Sequence, residues 1–288
     1  MAIQTITSAA NVQIKALKRL SQSNVAYKDS GQIWLEGAHL CDAYLLAITE
    51  AMKLKGHLDD TPQLQSRVLS QSTSQVWISR FEALRAIGSA YMGSVNKGAP
   101  SENEQLLVLP DALFASISAL PSNADIGFVL KLPSSASRID KTAHTVILDG
   151  VQDAGNVGSI LRSAAAFGVQ QIVALQGTAA LWSPKVLRAG MGAHFSLKLV
   201  ENVQPMDIDL DVPILATHVH KGDYLDQLQA AKSIPHPCAW IMGHEGQGVS
   251  ETMLGKASQY VRIRQKGQES LNVSVAAAVC LYAGMAAY

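Results

Sequence analysis

The sequence predicts a two-domain α/β protein whose C-terminal half is a parallel sheet covered by helices on both faces. Three observations carry this. From His144 onward, short and almost continuously apolar segments alternate with helix-like ones, as strands buried on both faces require. Before them lies PSSASRIDKTA (133–143), polar, with one Pro, three Ser and no apolar period, which reads as a linker. The chain's 288 residues, 48% of them hydrophobic, suffice for two separate cores. The expected layout is a smaller N-terminal domain at 1–132, a linker at 133–143 and the main domain at 144–288.

In the first domain, NVQIKALKRLSQ (11–22) sets Ile14, Leu17 and Leu20 on one helical face, with Lys15, Lys18 and Arg19 elsewhere. GQIWLEG (31–37) reads as a strand and AHLCDAYLLAITEAM (38–52) as a helix. LLVLPDALFASISAL (106–120) is a strand followed by a helix opened at Pro110-Asp111, and GFVLKLP (127–133) is a further strand. Beyond the linker come HTVILDG (144–150), a helix at 156–167, QIVAL (171–175), a helix at 184–190, HFSLKLV (194–200) and PILATHV (213–219). A helix at 222–231, CAWIMG (238–243), a helix at 249–257, YVRIR (260–264) and a last helix from about Asn272 complete the chain. That last helix is apolar nearly all round, so it needs cover on more than one face.

Composition excludes several classes. The formal net charge is +0, so no global field draws in a polyanion, yet residues 1–28 carry Lys15, Lys18, Arg19 and Lys28 and no acid. Cys41, Cys238 and Cys280 are odd in number and far apart, which fits reduced thiols and neither a disulfide framework nor a metal site. MAIQTITSAANVQ has no apolar core of a secretory signal. The longest apolar run, 273–288, is shorter than the ~20 residues of a membrane span. A cytoplasmic protein without a membrane partner is expected.

Three loops that follow strands are dense in Gly, Asn, Ser or Glu: Asp153–Arg162, IMGHEGQGVSE (241–251) and RIRQKGQESLNVSVAAAV (262–279). Open α/β sheets place their ligands at such loops. Each residue also has a plainer reading, Asn156 as a helix cap and Gly155, Gly158, Gly243, Gly246 and Gly248 as turn formers. The glycines do not make a nucleotide site. The Gly88–Gly93 spacing is followed by Ser94 and Val95 with no lysine, and DAGNVG supplies two of the three Rossmann glycines. No Gly-x-Ser-x-Gly elbow exists, and His218 and His220 lack a carboxylate cluster for a metal.

Taken jointly, the pattern resembles the SpoU/TrmH family of RNA ribose 2′-O-methyltransferases, within the SPOUT superfamily. Asp149…Asn156-Val-Gly158-x-x-x-Arg162-x-Ala…Phe167-Gly168 is similar to the family's first motif. Ser183-Pro184-Lys185…Arg188 with Gly190-Met-Gly192-Ala matches the segment between motifs. Met242-Gly243-His244-Glu245-Gly246-x-Gly248 resembles the second motif, and Ile263…Ser270-Leu271-Asn272-Val273-Ser274 the third. The second motif commonly reads Gly-Asn-Glu, and here His244 takes the place of Asn. The N-terminal ITSAANVQIKALKRL…IWLEG is similar to the small α/β substrate-binding domain of many members, although Ala26-Tyr27-Lys28 is less basic than the Arg-rich run frequent there.

The resemblance implies a C-terminal domain closed by a deep trefoil knot, S-adenosylmethionine as cofactor, RNA as substrate and a homodimer with the site at its interface. It assigns Arg162, Asn156, Glu245, Ser270 and Asn272 to catalysis and Gly243, Ile263 and Leu271 to the cofactor, with no metal. Arg162 would meet the nucleotide with Asn156 orienting it and Glu245 as partner to Arg162 or to the substrate, while Ser270 and Asn272 shape the hydroxyl pocket. The whole N-terminal domain favours ribosomal RNA over transfer RNA. Base methylation, or an inactive RNA-binding assembly factor, are the alternatives, and the intact set of five polar residues speaks against the second.

Overall fold

The computed structural model describes residues 2–53, 62–81, 105–120, 124–133, 138–267 and 270–285. The Gly88–Gly93 spacing and linker residues 134–137 lie outside them. The chain divides into two units, 1–135 with 182–184, and 136–181 with 185–288.

The first unit is built on a five-stranded mixed sheet in the order β1–β4–β3–β5–β2. Its elements are β1 (Ala2–Thr5), α1 (Val12–Gln22), α2 (Ala26–Ser30), β2 (Gln32–Glu36), α3 (Ala38–Lys53), β3 (Gln63–Ser70), β4 (Gln105–Leu109), α4 (Asp111–Ala115) and β5 (Ile126–Lys131). Asn11 caps α1, its side chain accepting from the Gln13 amide at 2.7 Å, and Ile14, Leu17 and Leu20 are buried as their spacing predicts. They pack on Trp34, Phe114 and Leu107. Strands β1 and β3 escape the sequence reading. β1 is a four-residue edge strand, and QLQSRVLS hides its buried face behind polar residues. Arg67 is buried there with its guanidinium 4.5 Å from the centre of the Phe81 ring, a contact that lets a cation sit in an apolar layer. The basic stretch is less free than its composition implies, because Arg19 pairs with Asp29 just beyond it.

The second unit holds a seven-stranded sheet in the order β10–β12–β9–β11–β6–β7–β8, and every pairing is parallel. The elements are β6 (Thr145–Asp149), α5 (Ala154–Ala166), β7 (Gln171–Leu175), α6 (Pro184–Gly190), β8 (Lys198–Val203), β9 (Ile214–Thr217), β10 (Asp223–Tyr224), α7 (Leu225–Ala230), β11 (Ala239–Gly243), α8 (Glu251–Leu254), β12 (Gln259–Arg262) and α9 (Val273–Met285). All residues of β6, β7 and β11 are buried, the outcome expected for strands with both faces covered.

Three helix starts differ from the sequence reading. α5 begins two residues before 156 because Asp153 caps it, accepting from the Asn156 amide at 2.8 Å. α7 starts at Leu225 instead of 222, since Gly222 (φ +102°) passes so close to β12 that a Cβ would lie 2.0 Å from the Tyr260 carbonyl oxygen. α8 is confined to four residues between its Ser250 cap and Gly255. HFSLKLV also divides, with Ala193–Ser196 forming a 3-10 turn before β8.

Two contacts set the helices around the site. α5 lies against the end of α6 at Gly158, where a Cβ would come 2.3 Å from Ala189 Cβ and 2.8 Å from the Gly190 amide nitrogen. Behind Gly190, buried His194 donates through Nε2 to the Leu181 carbonyl at 2.9 Å, and burial pushes its imidazole down to about 4. α9 packs on α5, with Tyr282 edge-on to Phe167 at 5.9 Å. Its Ala277, Cys280 and Leu281 are buried, but Val275, Val279 and Tyr282 are 48%, 39% and 55% exposed. These three line an open groove of about 610 Å³ together with Ser159 and Ser163 of α5, Leu225 of α7 and Ile263 after β12, among others. No described helix is long and apolar enough to cross a membrane.

Gly158→Ala is expected to destabilise the fold by about 1–3 kcal/mol, because two packed helices must separate to admit one methyl group. Gly267→Ala is the control, since a Cβ there meets nothing within 4 Å. Thermal unfolding checks both: a lowered Tm for the first and an unchanged Tm for the second.

Candidate active site

The loops after β6, β11 and β12 leave the same edge of the sheet, because parallel strands all end on one side. β6 and β11 are neighbours in register, Gly243 opposite Asp149. Their loops therefore start side by side.

The loop after β11 is folded into a tight turn. His244 donates its amide to the Gly248 carbonyl at 3.0 Å, and Gly248 returns the bond at 2.8 Å. Gly243 sits beneath this turn, where a Cβ would lie 2.2 Å from the Gly248 carbonyl carbon, so no other residue fits. The far end is pinned by Asp149, buried at the end of β6, whose carboxylate accepts from the Ser250 amide at 2.7 Å. Sequence reasoning quotes Asp149 without giving it a role. A carboxylate ending an otherwise apolar strand is the signal, since a buried charge requires donors.

This turn presents Glu245 to the start of α5. Its carboxylate accepts from the amides of Gln152 (3.3 Å) and Asp153 (3.2 Å) and from Asn156 Nδ2 (3.1 Å). Partial burial pushes the carboxyl up, but the bonds from Asn156 and the two amides outweigh it and hold Glu245 below the usual carboxylate range. Asn156 Oδ1 then accepts from Asn272 Nδ2 at 3.0 Å. Asn272 itself starts α9, its Oδ1 accepting from the Ser274 amide and hydroxyl at 2.9 and 2.7 Å. Three of the five expected catalytic residues thus form one hydrogen-bonded chain, Asn272–Asn156–Glu245, across 116 positions of sequence.

The plainer reading of Asn156 as the helix cap does not hold: Asp153 is the cap, which frees the Asn156 carboxamide for this chain. Glu245, expected as partner to Arg162 or to the substrate, does not meet Arg162 among the described residues. Glu245 and Asn156 bond each other, and the exposed Arg162 guanidinium has no hydrogen bond or ion pair among the described residues. Six residues at about 100° each turn Arg162 about 120° around α5 from Asn156, so the two side chains leave the helix in different directions. Ser270 is exposed and likewise outside the chain of bonds.

Of the residues expected at the cofactor, Gly243 lies under the turn, while Ile263 is half-buried and Leu271 is 38% exposed on the loop after β12. The backbone of 265–267 and 270–271 makes no main-chain hydrogen bond among the described residues. Apolar side chains beside backbone peptide groups fit an adenine, which needs both apolar walls and edge-on hydrogen bonds.

No cluster of His, Cys, Asp or Glu that would hold a metal occurs among the described residues. His218 and His220 lie beyond β9, and His218 Nδ1 takes the His220 and Lys221 amides at 3.0 Å. The three cysteines are free and buried, and burial raises Cys238 and Cys280 to about 12, so none is a ready nucleophile.

The chain is 26% identical to the 23S rRNA (guanosine(2553)-2'-O)-methyltransferase RlmP of Bacillus subtilis over 97% of its own length and 98% of that protein. It is 38% identical to the 23S rRNA (guanosine-2'-O-)-methyltransferase RlmB of Bordetella pertussis over 150 residues, half of this chain and 60% of that one. The fold is shared with the AdoMet-bound rRNA methyltransferase of Sinorhizobium meliloti, at a TM-score of 0.74 and 20% identity over 98% of this chain and 97% of that one. Residues 143–282, which hold the Asn272–Asn156–Glu245 chain and Arg162, match the SpoU rRNA Methylase family, and this segment is a SpoU/TrmH RNA methyltransferase domain.

Proposed function

We propose that this protein methylates the ribose 2′-oxygen of a single nucleotide in ribosomal RNA, using S-adenosylmethionine. It is an S-adenosylmethionine-dependent RNA methyltransferase, as its family membership entails. The observation that carries the site assignment is the Asn272–Asn156–Glu245 chain, which joins three loops into one rim, while Arg162 on the same helix has no ion pair among the described residues.

When bound, S-adenosylmethionine supplies an electrophilic methyl on a sulfonium leaving group. The chain's own residues must then hold the sugar hydroxyl in line and stabilise charge as it develops on the 2′-oxygen. Arg162 does this as a permanent cation, donating to the adjoining phosphate and to the oxygen. It is not a base, because guanidinium stays protonated. Glu245 and Asn156 hold the rim, Ser270 and Asn272 would bound the hydroxyl pocket, and Gly243, Ile263 and Leu271 would hold the adenosine. As the methyl is transferred, the hydroxyl proton would leave to water or a neighbouring acceptor.

Residues 1–132 form the RNA-recognition domain of this proposal, followed by the linker at 133–143 and the catalytic domain at 144–288. Lys15, Lys18 and Lys28 are cations of the first domain available to phosphates. A deep trefoil knot in the catalytic domain belongs to the same reading. Its support is that β11 inserts between β9 and β6 and that α9 returns to pack on α5, the domain's first helix. A homodimer is its last part: Val275, Val279 and Tyr282 are apolar, exposed and continuous with the groove of α5 and α7.

Deleting the gene and mapping ribose methylation across all stable RNAs tests the substrate. One site lost from ribosomal RNA is expected; a site lost only from transfer RNA, or a lost base methyl, overturns it. Arg162→Ala is expected to cut methyl transfer by ~10²–10³-fold while leaving S-adenosylmethionine affinity, measured by calorimetry, unchanged. Near-normal turnover removes Arg162 from the mechanism. Light scattering at micromolar concentration is expected to give twice the 30.7 kDa chain mass, and Val279→Glu to shift it toward one. A monomeric unmodified protein sinks the dimer.

A further inference from the structure

We propose that His244 is a positioning residue whose neutral imidazole shapes the loop that carries Glu245, and that this makes cofactor binding fall at acid pH. The ring lies inside the turn. Its Nδ1 accepts from the Gly246 amide at 2.9 Å and from the Gln247 amide at 3.3 Å. Together with the paired main-chain bonds between His244 and Gly248, these tie down four of the five residues of the turn and leave Glu245 at its tip, and the side chain plays the part an Asn or Asp carbonyl plays in an Asx turn.

Two amides converging on one ring nitrogen require a lone pair there, so the proton sits on Nε2. Protonating Nδ1 replaces that lone pair with an N–H that faces two other N–H groups. The turn then loses both bonds at once. No neighbouring charge compensates. Glu245, the next residue, directs its carboxylate to Gln152, Asp153 and Asn156. Asp149, before the Gly150 that lies 3.9 Å (as a built Cβ) from His244 Cβ, has its carboxylate on the Ser250 amide. Asp153 holds the Asn156 amide, and Glu251 opens α8 beyond Ser250. None of them bonds the imidazole among the described residues.

Opening the turn withdraws Glu245 from Asn156 and moves Gly243 and Gly248, so the effect reaches the cofactor rim. The effect on binding rests on the site proposed above, whereas the tautomer and turn do not. The sign is fixed by the geometry: the loop is intact when the imidazole is neutral and is lost when Nδ1 takes a proton, so the effect lies on the acid side.

The test uses the full-length protein. Nitrogen-15 NMR is expected to show the Nε2–H tautomer of His244 at pH 8, with the Gly246 and Gln247 amides protected from exchange, and that protection weakened on acidification from pH 8 to pH 5.5. Calorimetry with S-adenosylmethionine across the same range is expected to lose roughly tenfold in affinity per pH unit at the acid end. His244→Asn, which keeps an acceptor that does not titrate, is expected to bind as well as the unmodified protein at pH 8 and to lose the acid limb. His244→Ala is expected to bind weakly at every pH. Superimposable pH profiles for the unmodified protein and His244→Asn, or an Nδ1–H tautomer, overturn the proposal. Absence of binding at pH 8 with the tautomer and amide protection as expected instead counts against the cofactor site.

Discussion

The Asn156 carboxamide joins segments that the chain itself keeps far apart: Nδ2 donates to Glu245 on the loop after β11, and Oδ1 accepts from Asn272 at the start of α9. Both bonds are exposed, so each is worth only about 0.5–1.5 kcal/mol net, somewhat more for the one to a carboxylate. Stability comes from elsewhere, from strands in which every residue is buried and from Trp240, Ile241 and their neighbours. What the carboxamide contributes is position. A site that must align a hydroxyl, a methyl and a leaving group tolerates errors of well under an ångström, and three loops moving independently cannot meet that.

That bridge can exist only because of the strand order. β6 leads rightward through β7 to β8, the chain then crosses over to β9, and β11 inserts between β9 and β6. The direction of winding reverses at the β11–β6 pair, and crevices open at such reversals because the following helices diverge to opposite faces. Glu245 and Asn156 reach toward each other across that crevice. Gly243 and Gly158 are consequences of the same layout: one lets the turn fold over the end of β11, the other lets α6 lie directly on α5.

Much of this was legible in the sequence, and unevenly so. The parallel sheet was, since β6, β7 and β11 consist of little but apolar residues and their flanks carry the turn formers. So were the three loops, because polar residues beside glycine at strand ends have few structural uses. The first unit was harder. β3 carries Arg67 and Ser66 on buried positions, which erases the alternation that marks a strand, and the ring of Phe81 that makes room for the arginine comes from another segment. Helix starts were misplaced where the deciding contact was tertiary, as at Gly222 against Tyr260. At α5 the miss was local and instructive. Asp153 and Asn156 are both good caps, and only one can serve; the aspartate does, which leaves the asparagine free.

The separation of Arg162 from the bridge follows from the same economy of side chains. Had Glu245 taken the arginine, as its charge invites, the pair would have neutralised itself and the carboxamide would have lost its acceptor. Instead the carboxylate is held by Asn156 and two backbone amides, neutral donors that keep it ionised without consuming a cation. Arg162, without an ion pair among the described residues, lies exposed, where a guanidinium costs little because water solvates it. In the proposed reaction that charge is then available to a phosphate and a developing alkoxide, and desolvation on RNA binding strengthens it at the moment it is needed. A neutral network that positions, beside a cation that stays free, is the division of labour that six positions along one helix impose.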